Sequence, residues 1–285
     1  MKKILSGILL TLILLIPSLT VSAANIQIKI DGVAIASDVA PEIKNNRTMI
    51  PIRVISENLG ATVEWSNPIV TVTKNEIEIK LNINDGSTTK NGKSVLLDSK
   101  PYAKNNRTMV PLRFIAEAFG CEVNYQNGVV TIVTEPLKIR DQVVKGLQQE
   151  NRNIASSTVF ELKANSYIKD IYQIYLANKG DEVEAPLYSR YGYDVSTPGT
   201  YVQTMHHDFV DQNNKVLQGF EIAWLYNSKY EPFPAELLEG LPEYLLYDVT
   251  NNQWYIFNEN AAKSIEQILQ KAQNNNLLEV IRSSL

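Results

Sequence analysis

The stretch Lys44-Asn45-Asn46-Arg47-Thr48-Met49-Ile50-Pro51-Ile52-Arg53-Val54-Ile55-Ser56-Glu57-Asn58-Leu59-Gly60 returns sixty residues later, at residues 104–120, with eleven of its seventeen positions identical. The six exchanges are mostly apolar for apolar, such as Ile50 to Val110 and Leu59 to Phe119. A pattern of that length does not recur by chance, so the chain contains a duplicated unit.

Each copy reads as a strand running into a short capped helix. Pro51 suits the first helical position, where its missing N–H would be unpaired anyway, and it pushes Ile50 towards an extended conformation. The helix is therefore predicted to begin at Pro51. Ile52, Ile55 and Leu59 fall on one face, Arg53 and Glu57 stand four apart on the other, and Gly60 can close the end in a left-handed conformation. The second copy repeats each feature with Pro111, Leu112, Ile115, Phe119, Arg113, Glu117 and Gly120. Arg47 and Arg107 stand beside paired asparagines in both copies, and they are read as satisfying turn carbonyls rather than gripping a ligand.

An Asp/Asn-Gly turn, a proline, the Asn-Asn-Arg-Thr-Met run into Pro-x-Arg, an apolar helix, a glycine and Val-x-Trp/Tyr follow one another twice. They read Asp31-Gly32, Pro41, Asn45 to Arg53, Gly60, Val63 and Trp65, then Asn91-Gly92, Pro101, Asn105 to Arg113, Gly120, Val123 and Tyr125. This pattern resembles the copper amine oxidase N-terminal domain family, a tandem stalk-type module of exported bacterial proteins, over about residues 25–135. The resemblance implies an α+β arrangement and an accessory, non-catalytic role. Amine oxidases hold copper through three histidines of a separate catalytic domain, and this chain has two histidines in all. No cofactor, metal site or catalytic residue is therefore expected, and the family label carries no activity with it.

Before the module, Lys2 and Lys3 precede an apolar run over residues 4–16, and Ser22-Ala23-Ala24 follows. That is the layout of a signal peptide over residues 1–24, too short to favour a retained anchor, which needs roughly twenty apolar residues. The expected location is secreted or cell-surface, with no stable membrane span after cleavage. Cys121 is the only cysteine, so no intramolecular disulfide can form and stability must come from packing.

The module reads as strands of period two, with Ile26, Ile28 and Ile30, Val70 and Val72, Ile77, Ile79, Leu81 and Ile83, and Val130 and Ile132 inward. In the second copy Gly86, Thr88 and Lys90 replace the first three isoleucines, which predicts an exposed edge or loop there. The two copies are thus candidates for halves of one core. Residues 25–135 carry 12 basic and 12 acidic side chains, while residues 136–285 carry 13 and 19. Neither half offers the basic stripe that a phosphate backbone demands, so nucleic acid is not an expected partner.

Residues 136–285 hold most of the tyrosines and are read as a second α+β domain with antiparallel hairpins and a C-terminal helix. A helix is predicted over residues 140–151, with Val143, Val144 and Leu147 on one face; residues 158–178 fit helix and strand equally. Two hairpins are expected, one turning at residues 211–214 and one at residues 250–253. A helical turn or two is expected at residues 234–240, and a helix over residues 261–272 that continues or resumes over residues 277–281. Few obligatory contacts are expected to cross Pro136.

Two groups in the second domain bear on function. His206 and His207 are adjacent on a predicted strand and so point to opposite faces, which favours a structural or surface role over a shared metal. His206 with Asp208 is the better-placed pair. Tyr188, Tyr191, Tyr193 and Tyr201 crowd a stretch with Gly192, Pro198 and Gly199; they are candidates for stacking on a ligand, or for covering their own sheet. The sequence therefore points to an exported, non-catalytic stalk or binding protein with a cell-wall or extracellular protein or glycan partner. The alternative is an envelope-acting hydrolase in residues 136–285, for which His206, Asp208, Glu221 and tyrosines would have to meet in a cleft.

Overall fold

In the computed structural model the described residues are 26–152, 157–190, 195–229 and 232–284; the signal-peptide segment, Tyr191 and Tyr193 lie outside them. The protein is α+β and mostly antiparallel, and its first half is built around the repeated stretch. Strand Arg47–Pro51 of the first copy pairs antiparallel with strand Arg107–Pro111 of the second, setting Met49 opposite Pro111, Ile50 opposite Val110 and Pro51 opposite Met109. A shift of sixty residues maps this ladder onto itself, so a local two-fold axis passes between Ile50 and Val110.

Strands Glu42–Lys44 and Tyr102–Lys104 flank the pair. Their hairpins turn on Asn45-Asn46 and Asn105-Asn106, all four with φ between +49° and +59°, a conformation asparagine tolerates better than most residues. Arg47 donates to Asp98 of the other copy at 2.7 Å and to the Asn46 carbonyl at 3.2 Å. Arg107 makes the same two bonds, to Asp38 and to Asn106. The arginines do close their own turns, and each also ties one copy to the other.

Helices α1 (Ile52–Asn58) and α2 (Leu112–Ala118) follow the paired strands directly. They begin one residue later than the sequence predicts. Pro51 and Pro111 keep extended ψ values of 127° and 117°, because each is still a rung of the central ladder and caps its helix from there. Gly60 and Gly120 close the helices at φ of +87° and +77°, and the following N–H groups of Ala61 and Cys121 reach back to Ser56 and Ala116. Ile50, Ile55, Leu59, Val110, Leu112 and Ile115 lie in one buried cluster, so the copies share a single core. Cys121 is buried at its edge, and burial raises its thiol to about 11, so it is a packing residue rather than a reactive one.

The remaining strands form two sheets, each drawn from both copies, and the two sheets differ by one strand. The first is antiparallel throughout, in the order Thr62–Ser66, Ile69–Lys74, Ile77–Asn82, Thr88–Lys90, Lys93–Val95. The second runs Glu122–Gln126, Val129–Val133, Gln27–Ile30, Val33–Ala34, with no counterpart of Ile77–Asn82. Taking one strand out of an antiparallel run leaves its former neighbours parallel, and Gln27–Ile30 does pair parallel with Val129–Val133. The residues that align with the missing strand go elsewhere: Leu137 and Ile139 are buried in the core of the second half.

The segment around Thr88 is neither an edge nor a loop. Strand Thr88–Lys90 is paired on both sides, with Thr88 buried and its hydroxyl on the Gly86 carbonyl, while Lys90 reaches the Ala118 carbonyl at 2.7 Å. Backbone pairing and these side-chain bonds make up for the absent apolar face.

In the second half one sheet runs in the order Lys179–Val183, Gln253–Phe257, Tyr244–Asp248, Val216–Leu225, Tyr201–Val210, Gly146–Arg152, Ser157–Leu162, Leu278–Ser284. Both expected hairpins are present. Residues 140–151 are not helical. Arg140 and Asp141 take positive φ in a tight turn between strands Lys138–Ile139 and Gln142–Val143, and Gly146–Arg152 then enters the sheet between two partners. Val144 and Leu147 are buried, while Val143 is exposed.

The segment left open resolves into strand Ser157–Leu162 and helix α3 (Asn165–Ala177). Helix α4 (Glu259–Asn274) is capped by the Asn258 side chain, which accepts from the N–H groups of Asn260 and Ala261. It does not resume after Asn276, whose φ of +55° turns the chain into strand Leu278–Ser284. Residues 234–240 contain a single 3₁₀ turn, Ala235–Leu237. Helices α3 and α4 pack together over one face of the sheet, around Tyr175, Phe209, Phe220, Phe257 and Ile265.

More bonds cross the junction than the sequence implies. Asp31, at the end of the first strand, accepts from Thr134 N and Oγ1, both at 2.8 Å, and from Asn165 N at 3.0 Å at the start of α3. Tyr167 donates to the Glu57 carbonyl at the end of α1, and Lys271 of α4 reaches the Ala61 carbonyl at 2.7 Å. Val33 lies in the core of the second half.

Candidate functional site

The face of the large sheet away from α3 and α4 carries the concentration of ionisable groups. Its origin is strand alternation: along Tyr201–Val210, His207 and Phe209 point into the core, so His206 and Asp208 must point out. Glu221 lies opposite His206 on the neighbouring strand and Gly219 lies opposite Asp208. A Cβ at 219 would stand 2.9 Å from Asp208 Oδ1 and 3.2 Å from Val249 Cβ, so a larger residue there would displace the Asp208 carboxylate from its place beside His206. Strand Tyr188–Ser189 pairs beside the start of Tyr201–Val210 and brings Tyr188 and Arg190 to the same place.

The geometry is a closed set of charges. His206 Nδ1 is 2.9 Å from Glu221 Oε1, and its Nε2 is 2.9 Å from Asp208 Oδ2. Glu221, fully buried, also accepts from the Tyr188 hydroxyl at 2.7 Å and from Arg190. Burial alone would push the Glu221 carboxyl up, but the bonds from His206 and Tyr188 and the Arg190 charge outweigh it and hold it below the usual range. Burial would likewise lower the His206 pKa; its two carboxylate partners instead raise it to about 9. Two carboxylates therefore face two cations, and the group is neutral as a whole.

This arrangement answers the question posed by the sequence. His206, Asp208, Glu221 and Tyr188 do meet, yet both imidazole nitrogens are committed as donors, which leaves none to act as a general base. The two nitrogens point to different carboxylates rather than to a common point, and among the described residues no group of three His, Cys, Asp or Glu is placed to hold a metal ion. His207 is separate, buried in the core with Nδ1 2.6 Å from the Tyr175 hydroxyl, and burial lowers its pKa to about 3, so it is neutral. Its Nε2 has no hydrogen-bond partner among the described residues.

Of the four candidate tyrosines, Tyr188 spends its hydroxyl on Glu221 and packs its ring edge-on against Trp254, with centroids 5.0 Å apart. Tyr201 is buried and donates to the Pro242 carbonyl at 2.6 Å. Both cover their own sheet. Arg190 and Tyr175 drew no attention in the sequence, because nothing in spacing says that a two-residue strand would lay Arg190 against Glu221 or that α3 would put Tyr175 under His207.

The raised His206 pKa has a testable sign. The folded state holds this proton more tightly than the unfolded chain, so the contribution is complete below about pH 6.5 and is lost as the pH rises through about 9. It is worth on the order of 3 kcal/mol at its fullest. Urea unfolding should show stability falling between pH 7 and 9.5, and the fall should be absent in His206→Asn. An identical profile in both proteins would remove His206 from the explanation.

The class defined so far is a strand-exchanged tandem α+β module joined to a second sheet-and-helix domain with an internally paired ionic cluster. Residues 29–134 match the family described as the copper amine oxidase N-terminal domain, and that segment is a domain of this kind. The match includes no amine oxidase catalytic domain, and no family matches the second half. No curated protein and no solved structure matches the chain.

Proposed function

We propose that the chain is an exported, non-catalytic stalk or binding protein of the cell surface or extracellular space, in which the tandem module carries the second α+β domain. The observation that supports it most is the closure of the ionic cluster around His206: Glu221 is fully buried, and both His206 nitrogens are taken by carboxylates. The copper amine oxidase N-terminal domain in residues 29–134 is compatible with the same reading. Export rests on Lys2, Lys3, the apolar run and Ser22-Ala23-Ala24. Among the described residues no helix is long and apolar enough to cross a membrane.

Fractionation of producing cells followed by N-terminal sequencing tests the proposal. The protein is expected outside the cytoplasm, beginning after Ala23 or Ala24, and the purified chain should oxidise no amine and hold no stoichiometric copper. Cytosolic protein with Met1 retained would end the export reading. One copper per chain, lost on replacing His206 and His207, would end the non-catalytic one.

A further inference from the structure

The two-fold relation inside the module generates two clefts of nearly equal size. The first, about 600 Å³, lies between Ile52, Arg53 and Trp65 of the first copy and Asn106 and Arg107 of the second, with Asp38 at its rim. The second, about 570 Å³, is formed by the residues sixty positions away: Leu112, Arg113 and Tyr125 with Asn46, Arg47 and Asp98. Both volumes fall in the range of small-molecule sites. Each cleft is thus made by the helix start of one copy and the Asn-Asn-Arg hairpin of the other, and neither copy could form it alone.

Duplication explains why buried positions recur, and the Arg47–Asp98 and Arg107–Asp38 pairs have a structural duty. Neither explains why the aromatic rings of the repeat stand exposed. Trp65 and Tyr125 share a strand face with Val63 and Val123, which pack against the core, yet each ring is 52% exposed and lines its cleft, so about half of its surface is left open to a ligand. Arg53 is exposed and makes a loose ion pair with Glu57 at 3.7 Å, too long for a good hydrogen bond, so its guanidinium can turn towards a ligand.

We infer that these clefts are a duplicated binding site for the pyranose rings of a polysaccharide. A pyranose presents an apolar C–H face ringed by hydroxyl groups. The exposed indole or phenol ring offers a flat surface for that face at little entropic cost. Guanidinium and carboxamide groups donate to hydroxyl oxygens, and the aspartate accepts from hydroxyl protons. Charge in the first cleft balances, Arg53 and Arg107 against Asp38 and Glu57, which suits a neutral polymer better than a polyanion. The clefts are not identical. Asn274, Asn275 and Asn276, at the end of α4, border the first one only, so a saccharide there touches both halves of the protein and binds more tightly than in the second. Two sites per chain on a repeating polymer also give avidity that one weak site lacks.

The inference rests on the reading of the chain as a non-catalytic binding protein. Titration calorimetry of the purified protein with chitotetraose, cellotetraose and xylotetraose tests it. At least one should bind with two molecules per chain; Trp65→Ala and Tyr125→Ala should each reduce the ratio to one, and the double variant to none, with unchanged urea midpoints because both rings are exposed. No binding of any of the three, or binding that survives in the double variant, would overturn the clefts as sites. Loss of all binding in one single variant would overturn their independence. Chromatography of the incubated sugars keeps the two readings apart: shortened products would end the non-catalytic reading while a ratio of two upheld the clefts, and intact sugars without binding would end the clefts alone.

Discussion

Glu221→Ala should lower the unfolding free energy by about 3 to 5 kcal/mol, the cost of breaking a buried ion pair by removing one partner. The side chain is fully buried, and its removal strands three donors at once: the His206 imidazolium, the Arg190 guanidinium and the Tyr188 hydroxyl. Tyr188 would have to keep its place against Trp254 without its strongest polar contact. Chemical denaturation at pH 7 measures the loss, and His206 should then titrate lower than in the unaltered protein, with Asp208 its remaining carboxylate partner. A loss below about 1 kcal/mol, as for an exposed ion pair, would mean that water reaches the cluster and that its closure is overstated.

The second large effect concerns the first strand. A fragment of residues 25–135 should unfold cooperatively by itself, because the shared core, both helices and all strands of the module lie within it. In that fragment Ile115→Ala should cost about 2 to 4 kcal/mol, as a buried large-to-small change does. Starting the fragment at residue 32 instead should abolish folding. That shorter piece loses Ile26, Ile28 and Ile30 from the core and leaves Val129–Val133 with an open edge in place of its parallel partner. Circular dichroism through a urea titration distinguishes the two. If the 25–135 fragment aggregates while the full chain stays soluble, the bonds from Asp31 to Asn165 and from Tyr167 to Glu57 are obligatory, and the boundary at residue 136 divides one folding unit.

What the sequence revealed follows from what each residue type can do by itself. The strand, helix and glycine of the repeat were legible because proline, asparagine and glycine restrict the backbone locally, and the His206 and Asp208 face was legible because alternation along a strand is automatic. The helix predicted over residues 140–151 failed on a turn made by Arg140 and Asp141, where a lone aspartate without glycine or proline beside it is a weak turn signal, and on a strand whose Gln148 and Glu150 alternate with Leu147 too briefly to show a period. The parallel closure by Gln27–Ile30 was hidden for another reason. It depends on a strand that the second copy lacks, and an absence becomes visible only once Leu137 and Ile139 are seen in the other core. Arg190 reaches Glu221 and Tyr175 reaches His207 across the fold, and no local pattern encodes such meetings.

That closure also sets a timetable for the chain's birth. Gln27 pairs with Val129, so strand Gln27–Ile30 has only the two-residue strand Val33–Ala34 beside it until about a hundred more residues have been made, roughly 5 to 20 s at ordinary elongation rates. During that interval the apolar face of Ile26, Ile28 and Ile30 is uncovered, and the module cannot close ahead of schedule. A module that is barred from closing until its last strand arrives remains threadable up to that point, which is the state a translocation channel requires.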